Sequence, residues 1–221
     1  MVKPPLLRSE PTRAAVRRFI AEQVREGNLL PGDKLSPAAL ASELGVSATP
    51  LREALIELVR DGYLDNRSQY GFTVRPLRAK EVRELYPLIA SLEVLAMRSQ
   101  TFTASALDEL DRINALFAKA SKPTEVSALD SMWHSNLVAN SDNETLHEMI
   151  HMLKARVQRY EEAYIRYSGA LPASARQHRA ITRALRNGQL EVAEKNLEEN
   201  WLAGIRFLIP WLESQSNTPG I

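Results

Sequence analysis

The sequence predicts a mainly α-helical protein in which an N-terminal winged helix-turn-helix is followed by an antiparallel bundle of six or seven helices. Three observations favour this fold class. Glycine and proline are frequent in the first third of the 221-residue chain and scarce after Arg78. Beyond that point apolar residues recur with helical spacing, and no strand-like alternation extends over more than a few residues. The change falls near Pro76, which predicts one domain over residues 1–76 and an all-helical domain over residues 79–215.

The first domain begins with three predicted helices. Apolar residues spaced by four predict a helix over residues 10–26, and Leu40 and Leu44 predict a second, short helix that Gly45 ends. Ser47 is a suitable N-cap for the third helix. The buried stripe of that helix consists of Leu51, Leu55 and Leu58.

Two short strands complete the first domain. They are predicted over residues 63–65 and 72–74, and the polar residues 66–71 form the tip between them. Three helices followed by a hairpin are the element order of a winged helix-turn-helix.

The rest of the chain is predicted to form six amphipathic helices. Their apolar stripes begin at Val82, Leu107, Val126, Leu146, Ile181 and Leu190. Each stripe repeats at intervals of three or four residues, and the links between the helices are short. Helices with buried stripes and short links form antiparallel bundles.

Composition and charge exclude several classes of protein. With no cysteine, the chain has no disulfide, no thiolate metal site and no thiol nucleophile. A net charge of +1 is too small for a protein that coats nucleic acid by charge alone. The N-terminus lacks the apolar core of a signal peptide, and the most apolar stretch, residues 201–212, is too short to span a bilayer. We therefore expect a soluble cytoplasmic protein that makes no membrane contact.

Ordered motifs in both domains carry a family resemblance. In the first domain they are PGDKL at 31–35, LGVSATPLREAL at 44–55 and GFTV at 71–74. With these motifs the chain resembles the GntR family of bacterial transcription regulators. Through DSMWH at 130–134, NETL at 143–146 and HRAI at 178–181, the helical remainder resembles the FadR-type effector-binding domain, also called FCD. The resemblance implies a homodimer that binds operator DNA and responds to a small metabolite.

The third helix is the expected DNA-reading element. A helix after a tight glycine turn can lie in the major groove with its first turns against base edges and phosphates. We expect Arg52 to contact guanine or phosphate, and Ser47 and Thr49 to contact phosphate. The alternative is that Arg52 pairs with a glutamate while Ser47 and Thr49 only cap the helix. The expected contacts in the wing are Arg67, Gln69 and Gly71.

A metal site is expected in the second domain. Asp130 and His134 are four residues apart on an inward helical face, and His178 and Asn200 lie on the apolar stripes of their helices. The resemblance implies a metal site, because matching positions in metal-binding FCD domains supply an aspartate and three histidines. Imidazoles with a carboxylate suit Zn²⁺, Ni²⁺ or Mn²⁺. Asn200 replaces the last histidine and is either a weak fourth ligand or a bystander. The alternative is a metal-free pocket in which both histidines form ordinary hydrogen bonds.

The same pocket is expected to take a small anionic metabolite. Arg156 and Tyr160 lie on the long helix that faces the bundle, and a buried guanidinium beside a metal can clamp a carboxylate. The alternative for such an arginine is an interhelical ion pair.

Together these features predict an effector-responsive regulator that binds operator DNA as a homodimer, and no enzymatic activity. One alternative is a metal-dependent enzyme on a helical bundle, but the sequence has no activated serine or cysteine pattern and assigns no carboxylate beyond Asp130 to the pocket. The other is a DNA-binding protein with a purely structural dimerisation bundle, which would follow if side chains filled the pocket.

Overall fold

A computed structural model of the chain describes residues 12–67, 71–168 and 174–215. The chain divides into two compact units, one that ends at Leu77 and one that comprises Arg78–Ser214. The predicted fold class is confirmed, since helices make up most of the described chain and the strands belong to one small sheet in the first unit.

Three helices build the first unit: α1 (Thr12–Glu26), α2 (Pro37–Leu44) and α3 (Ala48–Arg60). The turn between α2 and α3 depends on Gly45, whose φ of 66° is a left-handed conformation that residues with a Cβ rarely adopt. Ion pairs join α1 to α3. Arg17 Nη2 lies 2.6 Å from Asp61 Oδ2, and Arg13 Nε lies 3.2 Å from Glu57 Oε1.

The wing is an antiparallel three-stranded sheet with the order β1-β3-β2. The strands are β1 (Lys34–Leu35), β2 (Leu64–Arg67) and β3 (Gly71–Val74). Leu64 pairs with Val74 and Arg67 with Gly71, so the hairpin is longer than the predicted segments 63–65 and 72–74. The sequence analysis missed β1, because a two-residue strand is too short to display alternation.

The core of the first unit lies between the three helices and the sheet. The three predicted leucines of α3, Leu51, Leu55 and Leu58, are completely buried. Ile20 from α1 and Leu64 from β2 pack into the same cluster. This packing leaves the opposite face of α3 to solvent.

Six helices form the described part of the second unit, within the predicted six or seven. They are α4 (Ala79–Arg98), α5 (Ala104–Phe117), α6 (Pro123–Val138), α7 (Glu144–Ser168), α8 (Ser174–Arg186) and α9 (Leu190–Gln215). Helix α5 packs against α6 and α8, and α7 packs against α4 and α6. Helix α9 continues through Pro210. None of the described helices has the length and apolar character needed to cross a membrane.

Candidate metal centre, cavity and DNA-reading helix

Asp130, His134 and His178 form one cluster inside the second unit. Helix α6 supplies the first two and α8 supplies the third. One ligand atom from each residue lies within 4.8 Å of the others. The shorter separations are 3.6 Å between His178 Nε2 and Asp130 Oδ1, and 3.8 Å between His134 Nε2 and Asp130 Oδ2. The structure therefore brings together the carboxylate and both imidazoles that the sequence pointed to.

The ring of His134 is oriented by a carboxylate that the sequence analysis missed. His134 Nδ1 lies 2.7 Å from Oε2 of the fully buried Glu93. Trp201 Nε1 donates a hydrogen bond of 2.8 Å to the same oxygen. Burial alone would raise the pKa of Glu93, but His134 and Lys154 more than offset this and the pKa is lowered. The ionised carboxylate therefore accepts a hydrogen bond from Nδ1–H, which leaves the Nε2 lone pair of His134 free for a cation.

His178 has no hydrogen-bond partner for either ring nitrogen among the described residues. The ring is fully buried and stacks on Trp133, with 3.9 Å between centroids and 5° between planes. Burial lowers the pKa of His178 well below its usual value, so the ring is neutral, the form that ligates metals. Oδ1 of Asp130 is likewise buried without a partner in the described chain.

Such orphaned polar atoms each cost about 1–3 kcal/mol when nothing satisfies them. A single divalent cation would satisfy Asp130 Oδ1 and one nitrogen of His178 together, and it would use the free lone pair of His134. The residues present therefore fit a metal ion, and their mixture of imidazole and carboxylate suits Zn²⁺, Ni²⁺ or Mn²⁺.

Asn200 on α9 lies near this cluster but is engaged elsewhere. Its Nδ2 donates a hydrogen bond of 3.1 Å to Gln177 Oε1. The side chain is buried, and it lines the same cavity as Asp130. Its amide oxygen is the atom that remains available to bind a cation.

A cavity of about 230 Å³ adjoins the cluster. This volume is below the ~300–1,000 Å³ usual for small-molecule sites, so the cavity suits a metabolite of few atoms. Its polar lining residues are Ser127, Asp130, Glu161, Ser174, Arg176, Gln177 and Asn200. Its aromatic lining residues are Tyr86, Tyr164 and Phe207. Side chains do not fill this space, which argues against the alternative of a purely structural dimerisation bundle.

Two of the lining residues, Glu161 and Tyr86, were also missed from the sequence. Burial, followed by the negative charge of Asp130, raises the pKa of Glu161 to about 8. Glu161 lies four residues after Val157 and four before Ile165, so an acidic residue stands on the apolar stripe of α7. That position was the available signal, and the same signal marks Glu93, four residues after the buried Ile89.

The expected effector residues Arg156 and Tyr160 lie elsewhere. Arg156 Nη2 donates a hydrogen bond of 2.6 Å to Glu81 Oε1, and the Tyr160 hydroxyl donates one of 2.6 Å to Glu81 Oε2. Neither residue lines the cavity. The ion-pair alternative therefore holds for Arg156, since its charge is neutralised by a carboxylate 75 positions away in sequence. The arginine that does line the cavity is Arg176, which is exposed.

Helix α3 presents the expected DNA-reading residues to solvent. Ser47, Thr49 and Arg52 are exposed, and Ile56 on the same face is 52% exposed. Ser47 is the N-cap of α3 but makes no capping hydrogen bond with its side chain. Arg52 forms no ion pair with any residue in the described ranges, so the glutamate pairing considered as an alternative is not observed.

The wing is described only in part. Gly71 is exposed with a φ of 67°, and its backbone pairs with that of Arg67. The side chain of Arg67 and the whole of Gln69 lie outside the described residues.

Comparisons with known proteins agree with this arrangement. The family description "Bacterial regulatory proteins, gntR family" matches residues 12–74, and "FCD domain" matches residues 84–200. The Nta operon transcriptional regulator of Aminobacter aminovorans is 34% identical over 133 residues, which cover 58% of this chain and 63% of that protein. The "Probable D-xylose utilization operon transcriptional repressor" of Paenarthrobacter nicotinovorans is 30% identical over 186 residues, or 82% of each protein. The solved structure of E. coli McbR/YncC shares the fold, with a TM-score of 0.74 at 24% identity over 92% of this chain and 99% of that one.

Proposed function

Since the chain belongs to the GntR family, with an FCD domain, and is a transcription regulator rather than an enzyme, we propose that it is an effector-controlled homodimer. In this proposal, residues 1–76 bind operator DNA in the cytoplasm, and residues 79–215 bind the effector and dimerise. The observation that carries the proposal is a metal-competent cluster next to an unfilled cavity in the second unit.

The reading role of α3 is supported by the exposure of its first turns. Arg52 is free to form two hydrogen bonds with guanine O6 and N7, and Ser47 and Thr49 are placed to donate to phosphate near the helix N-terminus. Within the wing we keep Arg67, Gln69 and Gly71 as proposed contacts. One helix reads only a few base pairs, so a dimer with two half-sites is required for specificity.

The metal proposal rests on the orphaned atoms of the cluster. Asp130, His134 and His178 would hold Zn²⁺, Ni²⁺ or Mn²⁺, and the Asn200 oxygen would be a weak fourth ligand. When bound, the cation would supply a positive charge to which an acidic group of the effector can bind. Glu93 keeps the His134 ring in the orientation that this requires.

Effector control follows from differential binding. A ligand that fits the cavity better in one conformation of the dimer stabilises that conformation, and operator affinity changes by the same coupling free energy. Arg176 replaces Arg156 as the proposed guanidinium of the site, because it lines the cavity and forms no ion pair within the described part of the chain.

The dimer proposal is supported by exposed apolar residues on α4 and α7. Leu88 and Leu95 are 55% and 49% exposed, and a separation of seven residues places them on one face of α4. Met149 and Met152 are exposed on α7, which packs against α4. Exposed large apolar side chains in such a group mark interaction surfaces, and a surface of this kind can pair with its own copy across a two-fold axis.

Selection of operator DNA from a random-sequence pool, followed by native mass spectrometry of the complex, tests the proposed function. The expected result is an enriched sequence with two inverted half-sites, bound by two chains that each carry one divalent ion. A pool without enrichment, or a bound monomer, would contradict it.

A further inference from the structure

The lining of the cavity includes a carboxylate and three aromatic residues. Glu161 comes from α7, and the rings of Tyr86, Tyr164 and Phe207 line the same space. No Lys or Arg nitrogen of the described residues lies within ion-pair distance of Glu161. Lys154, whose charge acts on Glu161, lies 3.7 Å from Glu93 and is shared with that carboxylate.

The hydroxyl of Tyr86 is a second polar group of the cavity lining, and it is close enough to Glu161 for each group to affect the pKa of the other. The side chain is 1% exposed, and its oxygen has no hydrogen-bond partner among the described residues. Buried hydroxyl groups in native proteins are nearly always hydrogen-bonded. The position of the ring is constrained, since a Cβ added at Gly204 would come within 2.7 Å of Tyr86 Cε1. The Tyr86 hydroxyl therefore lies in the cavity lining without a hydrogen-bond partner among the described residues, and a ligand atom could form that bond.

A protonated amine can interact favourably with the carboxyl, hydroxyl and aromatic groups of this lining. An ammonium donates three hydrogen bonds, and an ionised carboxylate and a hydroxyl oxygen are both acceptors. Aromatic faces add cation–π attraction. Burial, followed by the charge of Asp130, raises the pKa of Glu161 to about 8, so the carboxyl is mostly protonated near pH 7 until a cation such as an ammonium lies beside it and favours the ionised form. A carboxylate placed beside Glu161 would instead find no opposite charge there.

The cavity also offers positive charge. Arg176 lines it and forms no ion pair with residues 12–67, 71–168 or 174–215, and the proposed cation at Asp130 would add to this charge. An acidic group of a ligand therefore has partners as well, provided that the ligand presents its amine to Glu161.

We propose that the effector is a small zwitterionic metabolite, an amino acid or a similar amine-bearing acid, whose amine is held by Glu161 and Tyr86 and whose acidic group faces Arg176 and the metal cluster. This inference deepens the proposed function and rests on the cavity being the effector site. The volume of about 230 Å³ restricts the ligand to a few carbon atoms.

Calorimetry of the full, metal-loaded chain against matched pairs of compounds tests the proposal. The pairs are propionate and alanine, butyrate and 4-aminobutyrate, and glutarate and glutamate, with propylamine and butylamine as amines without an acid. We expect at least one amine-bearing acid to bind ten times or more as tightly as its partner without the amine and as the simple amine.

Three variants assign the effect to the proposed residues. Glu161→Gln and Tyr86→Phe should each lose most of the preference for the amine-bearing member and keep the wild-type metal content. Glu148→Gln removes the same charge from an exposed position on α7 and should keep the preference. Thermal unfolding checks that each variant is folded, and if Glu161→Gln fails to fold, Tyr86→Phe decides.

The outcomes separate this inference from the proposed function. Equal binding of both members of every pair, no binding by any compound, or wild-type affinity in the folded variants would overturn the inference. Metal content and operator selection do not depend on the amine, so they report on the proposed function independently. An amine-bearing acid that binds through Glu161 but leaves operator affinity unchanged would uphold the site and contradict effector control.

Discussion

At the scale of single residues, Arg52 is the side chain on which we expect DNA recognition to depend most. It is exposed on the first turns of α3 and free of ion pairs in the described chain. We expect Arg52→Ala to weaken specific operator binding by about 1–3 kcal/mol, the usual value of a good bidentate base contact. Unfolding should be unaffected because the side chain is exposed. Fluorescence anisotropy with the selected operator at fixed salt measures the change.

The matched control for Arg52 is Arg60→Ala, which removes the same charge from an exposed position at the end of α3. An equal loss in both variants would indicate general attraction to phosphates rather than base reading. Wild-type affinity of Arg52→Ala would show that α3 is not the reading helix.

His134 supports the second residue-scale prediction. A cation that binds only the folded chain stabilises it by mass action, so His134→Ala should lose both bound metal and the metal-dependent rise in melting temperature.

Asn200→His should bind the cation more tightly, because an imidazole replaces an amide that is occupied by Gln177. Metal analysis and melting curves with and without chelator measure both effects. The control is His151→Ala on the exposed face of α7. Identical curves for metal-loaded and metal-depleted wild type would count against the site.

From the sequence, the candidate site could be predicted only where its residues lie close together along one helix. Asp130 and His134 are one helical turn apart, so periodicity alone placed them on one face. The partner of Arg156, Glu81, comes from another helix 75 positions away, and no local pattern pairs them. Glu161 stands on an apolar stripe, and its role becomes visible only when the cavity is formed.

At the scale of helices and strands, prediction succeeded where an element buries a stripe of its own. Each bundle helix does so, which is why six of them could be read from spacing. Strand β1 buries only Leu35 and pairs with residues distant in sequence, Phe72 and Thr73, so it has no local signature. Helix α9 passes through Pro210 because the packing of residues such as Leu208 and Leu212 outweighs the loss of one backbone hydrogen bond.

The contact between α4 and α9 supports a prediction about packing. Gly204→Ala would place a methyl group 2.7 Å from the ring of Tyr86 and force the ring to move. We expect a loss of about 1–3 kcal/mol of stability from this overpacking, and weaker ligand binding as the ring enters the cavity. Denaturant unfolding and calorimetry measure the two effects.

The combination of Gly204→Ala with Tyr86→Ala tests the cause of that loss. If the clash is responsible, the double variant is more stable than the sum of the single changes predicts. Strict additivity would show that Gly204 and Tyr86 do not interact in this way.

At the scale of the whole molecule, the proposed binding to an operator with two half-sites requires two copies of the chain. Leu88→Asp combined with Leu95→Asp places two charges on the proposed dimer face and should give a folded monomer that binds the two-half-site operator much more weakly. Sedimentation velocity and anisotropy measure the two properties. The control is Leu116→Asp, an exposed leucine on α5 away from that face. A dimeric double variant would remove this surface from the interface.

The central claim is that the cavity of the FCD domain controls operator binding. The most direct measurement is the operator dissociation constant of the metal-loaded protein with and without a saturating ligand found by calorimetry, in the wild type and in Glu161→Gln. We expect a change of roughly 5- to 150-fold in the wild type, the usual range of allosteric coupling, and little change in the variant. A wild-type dissociation constant that stays the same when the cavity is occupied would contradict it.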